Sequence, residues 1–146
     1  MKTAMFRPLA TFVTLSLISA SALAHDTVGE LTAAGGKLLA DVEEVKKLVT
    51  HSRMTGHTRN AGQTYPIDFE LKKNGKIDGT ARGRNGVEGV WGTWEVNDKA
   101  QLCMDRQYNG GSSQGCIFIY VVDGKYFIAG KNESDARLID RAFKPL

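Results

Sequence analysis

Gly89-Val-Trp-Gly-Thr-Trp-Glu-Val96 opens the stretch whose reading decides the fold; Leu102-Cys-Met-Asp-Arg106, Cys116-Ile-Phe-Ile-Tyr-Val-Val122 and Lys125-Tyr-Phe-Ile-Ala129 complete it. In the first segment Val90, Gly92, Trp94 and Val96 alternate with Trp91, Thr93 and Glu95. A period of two is the mark of a half-buried strand, and it turns the first set inward. Leu102 and Met104 alternate in the same way with Cys103 and Asp105. The third segment is almost continuous in apolar and β-branched residues, as in a strand covered on both faces or central in its sheet. Asp123-Gly124 supplies a tight hairpin between the last two segments. These segments read as an antiparallel meander with Cys103 and Cys116 in facing strands.

The two cysteines are the only ones in the chain. A redox or metal-binding thiolate pair would call for Cys-x-x-Cys or neighbouring histidine ligands, and neither is present. A structural disulfide, closing the polar hairpin tip Tyr108 to Gly115, is the expectation for an exported chain.

Upstream, Tyr65, Ile67, Phe69 and Leu71 alternate with Pro66, Asp68 and Glu70, a strand whose proline suggests an edge position or the strand's start. Asn74-Gly75 predicts a type I′ hairpin, and a strand with Ile77, Gly79 and Ala81 on one side returns to a turn at Asn85-Gly86. Before the strands, Asp41 with Glu44 three residues on, then Val42, Val45, Leu48 and Val49, predicts one short helix over 42–50. Residues 25–40, with Gly35-Gly36 inside them, read as a flexible lead-in because paired glycines are costly in a helix. Downstream, a polar stretch from Lys131 to Asp135 precedes a last strand at Arg137 to Phe143. Turns recur every 8–12 residues or so, as in an antiparallel barrel or sandwich. The expected architecture is mainly β: one small antiparallel β-barrel or sandwich of about six to eight strands with one short N-terminal helix, the single β domain occupying residues 41–146.

The N-terminus carries an export signal. Lys2 and Arg7 precede an apolar run from Leu9 to Ala20, and Ala22-Leu23-Ala24 offers small residues at a signal-peptidase site. The run falls short of the ~20 apolar residues that a membrane span needs. Residues 1–24 are therefore read as a signal peptide cleaved between Ala24 and His25, delivering a periplasmic or secreted chain without a transmembrane segment. The whole chain has 19 Lys and Arg against 16 Asp and Glu. Cleavage removes Lys2 and Arg7, so the balance becomes 19 − 2 = 17 against 16. A near-neutral chain offers no electrostatic case for nucleic acid. About 120 residues remain, enough for one domain with its own core and no need of metal to fold.

A short helix, an aromatic strand, Gly92-Thr-Trp94, Val96, the two cysteines and Asp123-Gly124 together resemble an uncharacterised family of small exported proteobacterial proteins, a domain of unknown function. The resemblance spans about Leu39 to Phe127 and implies a calycin-like small β-barrel. It brings neither an activity nor catalytic residues. Lipocalins carry their Gly-x-Trp on the first strand, whereas here it lies midway along the chain, so no lipocalin pocket is carried over.

No nucleophile elbow, phosphate loop or paired-histidine signature is present, and Ser112 and Ser113 read as turn residues. An N-terminal His25 would offer its α-amine and imidazole to copper if His51 or His57 lay in reach; without metal-ligand spacing it reads as coincidence. Asp105 and Arg106, with Glu95 on a neighbouring strand, read as cross-strand surface ion pairs. Lys72, Lys73, Lys76, Arg82 and Arg84 form a basic stripe that reads as protection of exposed strands. Trp91, on the outward face, and Tyr108 and Asn109, in the hairpin tip, are the candidate binding residues.

The function read from these features is a non-enzymatic binding protein without a cofactor, whose partner is a small molecule or a periplasmic or extracellular protein. An interior cavity lined by Phe69, Trp94, Ile117 and Ile119 would mark the first. An inhibitor or immunity-type module would instead dock the braced tip, and the copper protein stands third. For the export expectation, intact-mass measurement of material recovered from periplasm or medium should give a chain starting at His25; a retained N-terminus would refute it.

Overall fold

The structure, a computed structural model, describes residues 25–60, 63–83 and 86–146. The proposed signal peptide, and Arg84 and Asn85 with the first half of their turn, lie outside the described residues. In chain order the elements are α1 (Val28–Ala33), β1 (Lys37–Leu38), α2 (Val42–Val49), β2 (Ser52–Asn60), β3 (Gln63–Leu71), β4 (Lys76–Gly83), β5 (Gly86–Val96), β6 (Leu102–Tyr108), β7 (Gly111–Val122), β8 (Lys125–Ala129) and β9 (Ile139–Pro145).

Strands β2 to β9 pair antiparallel, each with the next in sequence, and β9 returns to pair with β2. The result is a closed eight-stranded barrel, which settles barrel against sandwich; of the described strands only the two-residue β1, paired to β7 alone, lies outside the closure. β7 is long enough to serve twice. Gly111 to Ile117 pair with β6, and Phe118 to Val122 pair with β8, while β1 lies beside Tyr120 and Val121 where β6 has ended.

Alternation assigns the faces as the sequence predicts. Met54, Phe69, Leu71, Ile77, Val90, Leu102, Met104, Ile119 and Ile128 form the barrel's core. Trp94 is half-buried against it, its indole N–H donating to the Lys72 carbonyl at 3.0 Å. Gly92 permits a close approach of strands: a Cβ there would lie 1.9 Å from the Asp105 carbonyl oxygen. The hairpin ends at Asn60–Gln63, Gly83–Gly86 and Tyr108–Gly111 gather at one end of the barrel. The other end belongs to α2, which leads straight into β2. Asp41 caps this helix by accepting from the Glu44 N–H at 2.8 Å, with acids in its first turn and Lys46 and Lys47 in its last. Its buried Val45 and Val49 join the core and close that end.

Three expectations require correction. Residues 25–40 are ordered: Thr27 and Glu30 form a reciprocal capping box on α1, and Val28 and Leu31 pack with Tyr120, Val122, Ala129 and Leu138 in a second core on the outside of the barrel. That cover explains why the segment from Cys116 to Val122 is apolar on both sides. Gly35, at φ 87°, ends α1, and Gly36 lets the chain fold over Leu31, since a Cβ there would lie 2.0 Å from Leu31 Cδ2. A second helix therefore stands where none is expected. Pro66 is not on an edge strand, because β3 lies between β2 and β4; it sits beyond the β4 ladder, which spans Asp68 to Leu71. Asp123-Gly124 has both residues at positive φ, as a type I′ turn requires, whereas at Asn74-Gly75 only Gly75 does, so that connection is a four-residue loop from Lys72 to Gly75. β2, too polar to be recognised as a strand, completes the barrel.

Cys103 and Cys116 are direct register partners across β6 and β7 and are disulfide-bonded, with Cα atoms 3.9 Å apart. The bond lies on the barrel's outer face. Replacing both cysteines by alanine should lower unfolding stability by about 2–3 kcal/mol in urea denaturation. Leu31 is fully buried, and Leu31→Ala should cost about 2–5 kcal/mol; a change below ~0.5 kcal/mol would mean that α1 does not dock on the barrel in solution.

Candidate functional site

Strand alternation also carries two arginines inward. Arg106 follows Leu102 and Met104 on the inner side of β6, and Arg141 lies between Ile139 and Phe143 on the inner side of β9. Near the hairpin end the core gives way to two chambers. The outer one, about 410 Å³, is lined by Thr58, Tyr65, Ile67, Phe69, Ala81, Arg82, Glu88, Val90, Arg106, Tyr108 and Ser113. The inner one, about 170 Å³, takes in Met54, Met104, Gly115, Ile117, Ile128 and Arg141, and shares Thr58, Ile67, Phe69 and Arg106 with the outer chamber. Arg106 thus belongs to both.

Arg141 is 7% exposed. One of its terminal nitrogens donates to the His57 and Asp140 carbonyls at 2.9 and 2.7 Å, and the other donates to Thr58 Oγ1 at 3.1 Å. Gly56, its register partner on β2, makes the room: a Cβ there would fall 2.9 Å from a guanidinium nitrogen. Burial pushes the Arg141 pKa down to about 10, the Asp140 charge opposes that fall, and the positive charge of Arg106 adds to it. Burial lowers the Arg106 pKa as well, and its guanidinium stands 5.9 Å from the Phe69 ring centroid. The Nε of each arginine is buried and has no hydrogen-bond partner among the described residues. None of the described residues lining the inner chamber carries a carboxylate.

At the mouth, Arg82 stacks 4.3 Å above the Tyr65 ring, and the Tyr108 hydroxyl donates to the Ser112 carbonyl at 3.4 Å. The outer lining thus joins aromatic and apolar walls to the oppositely charged Arg82 and Glu88, and Arg106 and Arg141 both face the inner chamber. Such a chamber can hold a small molecule by its apolar part and orient it by a few polar groups.

The sequence-predicted residues distribute unevenly about this site. Tyr108 lines the outer chamber, from within the barrel mouth. Asn109 is exposed in the β6–β7 turn beside Gly110 and lines neither chamber. Trp91, 49% exposed, faces outward and also lines neither. Of the expected interior lining, Phe69 and Ile117 are present, while Ile119 is packed in the solid core and Trp94 is tied to Lys72. The cross-strand surface ion pairs expected of Asp105 and Arg106, with Glu95 nearby, are not found among the described residues. Adjacent strand residues point to opposite faces, so Asp105 stays outside, accepting from Gln107 and Gln114 at 3.1 and 2.8 Å, while Arg106 goes in.

His25 and His57 share a surface cleft of about 300 Å³ with Asp26 and Asp140. Among the described residues no group of three or more His, Cys, Asp or Glu is placed to hold a metal ion. The basic stripe is partly neutralised, since Lys72 is ion-paired with Asp78. The residues missed were Arg106 and Arg141, and the signal for both was available: each keeps the phase of the apolar residues two positions away. Among the described residues no helix is long and apolar enough to cross a membrane.

Compared with known proteins, the chain matches no family model, no curated protein and no solved structure.

Proposed function

We propose that this is an exported, non-enzymatic binding protein that holds a small ligand inside the hairpin end of its barrel. The observation that carries the reading is the outer chamber of about 410 Å³, which adjoins a second one through four lining residues common to both, Thr58, Ile67, Phe69 and Arg106. That volume is within the range of small-molecule sites, roughly 300–1,000 Å³, and its lining joins aromatic and apolar walls to the charged Arg82, Glu88 and Arg106. The barrel wall is held by continuous backbone pairing, so the chamber is largely formed before the ligand arrives and little ordering entropy opposes binding. Tyr108 supports this reading over docking by the tip, because it lines the chamber instead of standing out from the hairpin. The export signal and the disulfide together favour an oxidising compartment.

Gly115 offers a direct test. It lines the inner chamber, and a Cβ there would meet nothing within 4 Å, so Gly115→Leu fills the space without a backbone clash. Fluorescence titration with neutral N-phenyl-1-naphthylamine and anionic 8-anilinonaphthalene-1-sulfonate should show saturable binding of at least one dye. Gly115→Leu should weaken it about tenfold or more, as expected when a filled pocket cannot accept the ligand. Trp91→Ala should leave it unchanged. Absence of saturable binding, or loss with Trp91→Ala and not with Gly115→Leu, would refute an interior site.

A further inference from the structure

We propose that the ligand is an organic carboxylate, with its acid group directed to Arg106 and Arg141 at the inner chamber and its apolar body against Tyr65, Phe69, Val90 and Tyr108 in the outer one. This rests on the interior-binding reading and specifies its chemistry. The two cations are costly where they stand. A guanidinium removed from water without a counter-charge is expensive, and two that face one chamber repel each other as well. Hydrophobic residues of similar volume at these positions would have filled the chamber and avoided both costs.

Arg141 is nevertheless held in place with care. Three hydrogen bonds fix its terminal nitrogens, and Gly56 opens the space that it occupies. All three acceptors are neutral oxygens, two carbonyls and a hydroxyl, so none of these guanidinium hydrogen bonds goes to a carboxylate. Arg106 reaches the same chamber from the neighbouring side, backed by an aromatic face. Each arginine retains a donor that the described residues do not use.

The remaining charges can be placed. Asp140 neighbours Arg141 in sequence but projects from the opposite side of β9 and lines the His25 cleft on the outer surface. Glu88 and Arg82, of opposite charge, both lie in the outer chamber, whereas the only charged side chains among the described residues of the inner one are the two arginines. The inner chamber is thus the positive end of a graded cavity, and a carboxylate is the group whose geometry fits arginine donors best. The inner chamber, about 170 Å³, has room for an acid group and a few carbons, with the longer part of the ligand in the 410 Å³ beyond.

The test is displacement of a bound naphthyl dye from the full mature chain by octanoate and by octanamide, which differ in charge and hardly in shape. Octanoate should compete about tenfold or more better than octanamide, because a charge-assisted pair is lost with the amide. That preference should vanish in Arg106→Met and in Arg141→Met, whose side chains keep the apolar bulk. Thermal unfolding of each variant identifies a folding failure; because Arg106 is only half-buried, Arg106→Met decides the matter should Arg141→Met fail to fold. Equal competition by acid and amide, with dye binding still blocked by Gly115→Leu, overturns the carboxylate assignment and leaves the interior site standing. A carboxylate preference that survives Arg106→Met overturns the assignment to these arginines. Failure of any dye to bind in a Gly115-sensitive manner overturns the interior site and this inference with it.

Discussion

Everything in this molecule depends on the pairing of β9 with β2 on one side and β8 on the other. Without it the sheet would be an open meander with exposed edges along β2 and β8 and no inside. With it, residues from opposite ends of the chain meet: Met54 stands across from Phe143, and Gly56 across from Arg141. Closure also makes the two ends of the barrel unequal. The α2 end is filled by Val45 and Val49, while the hairpin end is left to side chains that do not fill it. The chamber is the space that remains once one end of a small barrel has been packed.

The charges inside that space run against the rule that governs the rest of the core. At the α2 end, inward positions are aliphatic or aromatic except for Ser52, whose buried hydroxyl donates to the Val49 carbonyl. Toward the hairpins the same phase of the same strands delivers Arg106 and Arg141. Burial lowers the pKa of both, because removing these guanidinium groups from water is costly. A fold that tolerates this does so through fixed neutral acceptors, and such a compromise is commonest where a site has work to do.

The outer face has its own organisation. α1 and the segment leading to β9 cover β7 and β8, burying Tyr120 and Val122 on the side of the strand that a bare barrel would leave to solvent. The disulfide braces the neighbouring β6–β7 pair, also from outside. Both devices stiffen the wall next to the chamber while leaving its interior free.

The sequence by itself determined the strand phases, the positions of most turns, the short helix that it placed over 42–50, and the facing of Cys103 and Cys116, because each is a local property of backbone periodicity, capping or loop length. It did not reveal β2, in which Met54 is the only large apolar side chain, nor the docking of α1, since a six-residue helix gains its stability from the surface it covers and not from its own propensity. Arg106 and Arg141 show the boundary most clearly. Their phase was legible from Leu102, Met104, Ile139 and Phe143, but whether that phase meant a solvated sheet face or a shared interior was decided only when β9 closed on β2. That pairing joins residues more than eighty positions apart, and only the tertiary structure places both guanidinium groups on one chamber.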